Sequence, residues 1–223
     1  MTIPSTKDRS LTVAAPNKAR VGNLGLSSRN HMCVAFIVDL SRPDNSELVR
    51  GRSLPIEALW YFGGLPLLSS RYITSSRFRA ALLRLFGAQV GKGVCIKPRV
   101  RVKFPWYLTI GDHCWIGEEV WIDDLAEVRI GAHSCVSQGA YLCTGNHDWS
   151  HPHMKLYRRP IVVGQGVWIA ARALICPGVE IGDGAIVSAG SVVCKNVPPF
   201  EIHGGNPARL VRRRRMTESS QPQ

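Results

Sequence analysis

The densest group of side chains able to do chemistry lies between positions 143 and 162. It contains Asn146, His147, Asp148, His151, His153, Tyr157, Arg158 and Arg159. An imidazole that titrates near pH 6.5 can accept or release a proton at neutral pH. The spacings His147–His151 and His151–His153 are also compatible with metal ligation. No cysteine cluster joins them, however, and a loop does not impose the helical geometry that makes an i, i+4 pair converge, so no metal site is expected. Cys143 could be drawn as an acyl-carrying nucleophile. Its place in a regular repeat favours a packing role instead.

The elements that must position this segment are legible as a repeat. Val90, Ile96 and Val102 recur twenty residues on as Ile110, Ile116 and Ile122, and twenty further as Ile130, Val136 and Leu142. After an excursion the count resumes at Val163, Ile169 and Ile175, then Ile181, Val187 and Val193. Each triplet has internal steps of six. Three six-residue sides make a triangular coil whose aliphatic residues point inward and whose coils stack as parallel strands. This is the pattern of a left-handed parallel β-helix of about five coils, an all-β main domain over residues 89–200. Residues 143–162 form its protruding loop, inserted where the six-residue rhythm stops. A long loop leaving a rigid scaffold commonly carries function.

Ahead of the repeat, residues 46–88 carry helical spacing. Leu54, Ala58, Leu59, Phe62 and Leu65 are expected to form one packing face, and Phe78, Ala81, Leu82 and Leu85 a second. Pro66 should divide the two helices and Gly87 should end the second. Arginines interrupt the pattern, so the pair could make peripheral contact with a membrane surface through residues 54–86, although packing on the main domain is the plainer expectation. Residues 1–45 read as a weakly structured extension, and residues 201–223 as a C-terminal segment ending in a basic tail.

The chain has 28 basic and 16 acidic residues and a formal charge of +12, which suits an anionic partner. No basic stripe interleaved with aromatics or nucleic-acid motif is present, so nucleic acid is not expected as that partner. The seven cysteines are odd in number, and no two form a C-x-x-C pair. They suggest buried small residues in a reducing compartment. With no secretory signal and no span of about 18 apolar residues, a cytoplasmic location is expected, with membrane association left open.

The phased triplets, together with Thr144-Gly145-Asn146-His147-Asp148, Trp168-Ile169-Ala170-Ala171-Arg172, Pro177-Gly178-Val179-Glu180-Ile181-Gly182-Asp183-Gly184 and Gly204-Gly205-Asn206-Pro207-Ala208-Arg209, resemble the hexapeptide-repeat acyltransferases. Within them the likeness is nearest to the colanic-acid-biosynthesis type of O-acetyltransferase, with galactoside and maltose acetyltransferases next. Leu82-Leu83-Arg84-Leu85-Phe86-Gly87-Ala88 and Pro105-Trp106 extend it, so that it covers about residues 46–212.

The resemblance implies an acetyl-CoA-dependent O-acetyltransferase of exopolysaccharide biosynthesis, acting as a homotrimer on a sugar or polysaccharide-precursor hydroxyl. His147 matches the family's general base. An alcohol is a poor nucleophile at neutral pH, and an imidazole can take its proton as the ester bond forms. A carboxylate would improve such a base. Asp124 or Asp123, one coil below the root of the loop, is favoured for that role over Asp148. Asn146, Asp148 and Trp168 are placed at the acceptor. Ala170, Ala171 and Ala189 offer a narrow wall for the pantetheine arm. Lys195 and Arg209, with Arg212, match contacts to the CoA phosphates. The alternatives are another acceptor (an antibiotic, a lipochitin oligosaccharide or a sugar-nucleotide amine) and a non-catalytic β-helix scaffold.

Overall fold

The computed structural model describes residues 38–216. Most of the expected N-terminal extension, Cys33 included, and the last seven residues therefore lie outside the described residues.

The repeat folds as its phase requires. In the first sheet Val90, Ile110, Ile130, Val163 and Ile181 are successive register partners. Ile96, Ile116, Val136, Ile169 and Val187 do the same in the second. Val102, Ile122, Leu142, Ile175 and Val193 do so in the third. Every pairing is parallel, and the aliphatic column inside the left-handed β-helix is its core. Ile116, Ile122, Val136, Leu142, Ile169 and Val187 are all at most 1 % exposed. Some corners leave no room for a side chain. At Gly131 a Cβ would stand 2.5 Å from the carbonyl carbon of Gly164 in the next coil, which is why glycine follows the aliphatic residue there.

The solenoid is slightly longer than five coils. Val197 bridges to Ile181, and an antiparallel hairpin of Glu201–Gly205 and Ala208–Arg213 closes the second sheet against Ile186 and Val187. Each of the first two coils carries two extra residues between the third sheet and the next strand of the first. The protruding loop leaves from the same corner one coil higher.

The helical segment caps the first coil. Leu54–Leu59, a π-helical turn over Trp60–Gly64 and Leu65–Ser69 run on without a break. Pro66 therefore does not divide two helices. It follows directly on the π-helical turn, where the widened turn takes up its ring and its missing N–H without ending the helix, and the chain breaks only after Ser69. The second helix, Ser76–Leu85, is N-capped by Ser75, whose hydroxyl accepts from the Phe78 amide. It ends at Gly87, with φ of +95°.

The faces differ from those expected from the sequence, of whose positions only Leu65 and Leu82 pack on the core. The first helix buries Glu57, Trp60, Gly64 and Leu68 and leaves Leu54, Leu59 and Phe62 outside. The second buries Arg79, Ala80, Leu82 and Leu83, with Phe78, Ala81 and Leu85 outside. The reason is visible in the contacts. Trp60 Nε1 donates to the Val102 carbonyl, which anchors the first helix on the coil. The fully buried Arg79 donates to the carbonyls of Leu68, Ser70 and Ile73, satisfying the end of the first helix. The Ile96 amide donates to Ser76 Oγ at 2.6 Å, fastening the second helix to the coil.

Residues 38–53 form turns and irregular segments without helix or strand, and part of this stretch ties the cap to the loop. Asp44 N–H donates to the His153 carbonyl, Leu156 N–H to the Asp44 carbonyl, and Arg158 Nε to the Glu47 carbonyl. Among the described residues no helix is long and apolar enough to cross a membrane.

Candidate active site

The corner where all the irregularities of the repeat coincide encloses a cavity of about 470 Å³. Three layers build it. The cap contributes Arg50, Glu57 and Tyr61, the corner of the coils Lys103, Asp123 and Tyr141, and the loop Asn146, His147 and Leu156.

The loop is not irregular at its root. Gly145–Asp148 pairs antiparallel with Lys155–Arg158, placing Asn146 opposite Tyr157 and His147 opposite Leu156. Leu156 packs with Phe104 and Leu125 in a small apolar cluster beneath this hairpin. Thr144 Oγ1 donates to the Asp123 carbonyl and accepts from the Ala126 amide, which fixes the hairpin to the coil below. His147 is exposed at the cavity wall. Its Nδ1 lies 2.6 Å from the carbonyl oxygen of Met154. A carbonyl oxygen only accepts, so Nδ1 carries a proton, and in the neutral ring Nε2 is the nitrogen with the free lone pair.

This contact differs from the expected carboxylate partner. Asp124 is fully buried and faces the coil below. Its Oδ1 accepts from the amides of Lys103 at 3.0 Å and Phe104 at 2.8 Å. Burial pushes its carboxyl up to about 8, against the opposing effect of those amide hydrogen bonds. It braces a corner. Asp123 lines the cavity, pairs with Lys103 Nζ at 3.1 Å and accepts from the Tyr141 hydroxyl at 3.1 Å. Burial raises the Tyr141 phenol and keeps it a donor. Asp148 closes a turn. It accepts from the Ser150 amide at 2.9 Å and from its hydroxyl, and these bonds hold its carboxyl below the usual range. Asn146 hydrogen-bonds the Tyr157 side chain.

The histidines do not converge. His151 Nδ1 accepts from the His153 amide, and His153 Nδ1 meets the Asp39 carbonyl. Cys143 donates its S–H to the Gly145 carbonyl at 3.0 Å.

The remaining sequence-derived residues lie away from this cavity. Trp168 stands outside the second sheet, 47 % exposed, with Nε1 donating to Ser137 Oγ. Ala170 is buried, while Ala171 and Ala189 occupy the following corner one coil apart. There the Gly190 amide donates to the Ala171 carbonyl. Lys195 follows the last strand of the third sheet, and Arg209 and Arg212 lie on the terminal hairpin. Within one chain the structure thus brings His147, Asn146 and Asp123 together and keeps Trp168, the alanines, Arg209 and Arg212 on other faces.

Sequence reasoning missed Arg50, Glu57, Tyr61, Lys103, Tyr141 and the Met154 carbonyl. Only Glu57 left a signal. It is the sole charge within residues 54–69 and falls at helical spacing with Trp60, Gly64 and Leu68. One of its oxygens meets Arg50 at 2.7 Å, while the other is buried without a hydrogen-bond partner among the described residues.

Comparison with known proteins agrees with this architecture. The family described as "Bacterial transferase hexapeptide (six repeats)" matches residues 160–195. "Putative colanic acid biosynthesis acetyltransferase WcaF" of Escherichia coli (strain K12) is 49 % identical over 142 residues, 64 % of this chain and 78 % of the relative. Galactoside O-acetyltransferase of the same strain is 31 % identical over 137 residues, 60 % of this chain and 68 % of the relative. Among solved structures, the hexapeptide-repeat acetyltransferase VCA0836 of Vibrio cholerae, complexed with acetyl coenzyme A, superposes with a TM-score of 0.67 at 32 % identity. The match covers 74 % of this chain and 92 % of that one. A galactoside acetyltransferase in complex with coenzyme A gives 0.65 at 27 % identity over 72 % and 82 % of the two chains. Fold and site define an acyltransferase built on hexapeptide repeats. The chain belongs to the hexapeptide-repeat acetyltransferases that include the colanic acid biosynthesis and galactoside enzymes.

Proposed function

We propose that this acetyltransferase moves the acetyl group of acetyl-CoA to a sugar hydroxyl, in exopolysaccharide biosynthesis, with His147 as general base. The observation that carries this reading is the Nδ1 contact of His147 with the Met154 carbonyl. It leaves Nε2 basic on a ring that lines a polar cavity.

In this reaction the acceptor O–H gives its proton to Nε2 as its oxygen attacks the thioester carbon. The tetrahedral intermediate collapses, the C–S bond breaks, and the departing thiolate recovers the proton from the imidazolium. No acyl-enzyme is formed, which agrees with Cys143 being held by the Gly145 carbonyl.

A sugar suits the cavity because its walls offer both acceptors and donors. Glu57, Asp123 and Asn146 stand beside Arg50, Lys103 and Tyr141. The names of the relatives, one of colanic acid biosynthesis and one acting on galactosides, point the same way. Acetyl-CoA is the donor, as in the complexed neighbour. Its pantetheine wall is assigned to Ala170, Ala171 and Ala189, and its phosphates to Lys195, Arg209 and Arg212. The alanines, Arg209 and Arg212 lie on other faces of one chain than His147, whereas Lys195 leaves the third sheet at the loop's own corner, and this separation supports a site completed by a neighbouring subunit. The enzyme therefore acts as a homotrimer. Trp115, Trp168, Ile186 and Ile202 on the outer side of the second sheet are the apolar surface such packing would cover.

The test is thiol release from acetyl-CoA against a panel of mono- and oligosaccharides, sugar-nucleotide amines and chloramphenicol. Turnover on a saccharide hydroxyl supports the reading, and turnover confined to an amine or the antibiotic overturns it.

A further inference from the structure

The helix over residues 54–69 has no polar outer face. Its buried side presses Trp60 and Leu68 on the first coil. Its opposite side exposes Leu54 at 66 %, Leu59 at 63 %, Phe62 at 86 % and Leu67 at 44 %. An exposed helix ordinarily carries charged residues there. Here the only charge in the helix, Glu57, is turned inward. A contiguous apolar face of this kind marks a contact surface.

The charges around it have one sign. Arg52 precedes the helix by two residues and Arg71 follows it by two, both exposed. Of the six arginines in residues 50–86, Arg52, Arg71, Arg77 and Arg84 are exposed and unpaired with the one acid, while Arg79 is buried and Arg50 holds that acid, Glu57. The neighbouring helix adds Phe78 and Leu85 to its outer side, each preceded by an exposed arginine, Arg77 and Arg84. Large apolar side chains bordered by arginines are what the interface of an anionic bilayer selects, and the exposed carboxylate that approaches the end of the helix, Glu119 beside Ser69, is paired with Arg99. A protein partner would normally meet a mixed rim.

We propose that this cap docks the protein on an anionic membrane surface, with Leu54, Leu59 and Phe62 inserted among the acyl chains and Arg52 and Arg71 at the phosphate level. The same helix supplies Glu57 and Tyr61 to the cavity beside His147. The cavity is thereby held next to the bilayer, which fits an acceptor saccharide carried on a lipid. This last consequence rests on the proposed acetyl transfer, whereas the docking does not.

The experiment is flotation of the full-length protein with vesicles of phosphatidylcholine alone or with 30 % phosphatidylglycerol. The protein is compared with the Leu59→Ser/Phe62→Ser double variant and with Arg52→Glu/Arg71→Glu, the circular dichroism and elution volume of each being recorded. Wild type should float with the anionic vesicles and bind at least tenfold less to phosphatidylcholine. Each variant should lose at least tenfold in binding while keeping its fold and its size. Three results would overturn the proposal: wild type that stays unbound, variants that bind as wild type does, or a serine variant that elutes as a smaller species. The last would show that the face packs against a second copy of this chain. Thiol release with a soluble acceptor, measured on the same samples, is unaffected by a failure of docking and so separates it from a failure of the reaction.

Discussion

Asp124 offers a sharp test of how the site is built, because two readings of it predict opposite outcomes for Asp124→Asn. If Asp124 oriented the base, the amide would favour the wrong imidazole tautomer. An analogous replacement in serine proteases lowers kcat by about 10⁴-fold. The structure places it elsewhere, with Oδ1 receiving the Lys103 and Phe104 amides and Oδ2 buried without a partner among the described residues. An asparagine retains the accepting oxygen, so kcat should stay within about threefold of wild type. Stability should change instead. The carboxyl is raised from 3.8 to about 8 in the fold, so between these values the native group is neutral and the unfolded one ionised. Unfolding then releases a proton, and stability falls by about 1.36 kcal/mol per pH unit. The contribution is fully present below pH 3.8 and lost as pH rises towards 8. Asparagine does not titrate. Between pH 5 and pH 7 its advantage over aspartate should grow by about 3 kcal/mol, or about 5–10 °C in Tm for a chain of this size. Scanning fluorimetry of both proteins at the two pH values measures it. A kcat loss beyond 100-fold, or a Tm difference that does not change with pH, would refute the assignment as a corner brace.

Three other outcomes follow from particular contacts. Glu57→Gln should raise the acceptor KM by about tenfold and leave the acetyl-CoA KM unchanged, since Glu57 lines the cavity assigned to the acceptor and its charge holds Arg50 there, and initial-rate kinetics in both substrates decide it. Arg212→Ala should show the converse, a higher acetyl-CoA KM with the acceptor KM unaltered. Gly131→Ala should destabilise by about 1–3 kcal/mol through overpacking, read by thermal melting, because its Cβ meets the rigid backbone of Gly164 at 2.5 and 2.6 Å.

The fold was legible because a β-helix is specified locally. Each side of a coil demands one inward aliphatic residue, and the same demand recurs six residues later. Fifteen such positions therefore fixed the register of three sheets before any contact was known. The place of His147 at the cavity was legible for the complementary reason, since it stands where that rhythm stops. The orienting atom was not, because the Met154 carbonyl is backbone and any residue could supply it. Asp123 and Asp124 are neighbours in sequence, but the first turns to the cavity and the second under the corner. Only the path of the chain at that corner separates them. The cap was misread because its first helix is apolar on both sides. With Leu54, Leu59 and Phe62 facing one way and Trp60 and Leu68 the other, hydrophobicity alone gives no direction. Arg79, a charge that packing would be expected to exclude, went inside to satisfy the carbonyls at the end of the first helix.

The measurement that bears most directly on the account is the rate of acetyl transfer by His147→Ala at saturating acetyl-CoA and acceptor, on protein shown to keep its oligomeric size and its CoA affinity. Loss of a positioned general base should lower kcat by about 10²–10⁴-fold with both affinities retained. A kcat within tenfold of wild type would contradict the assignment of His147 as the base.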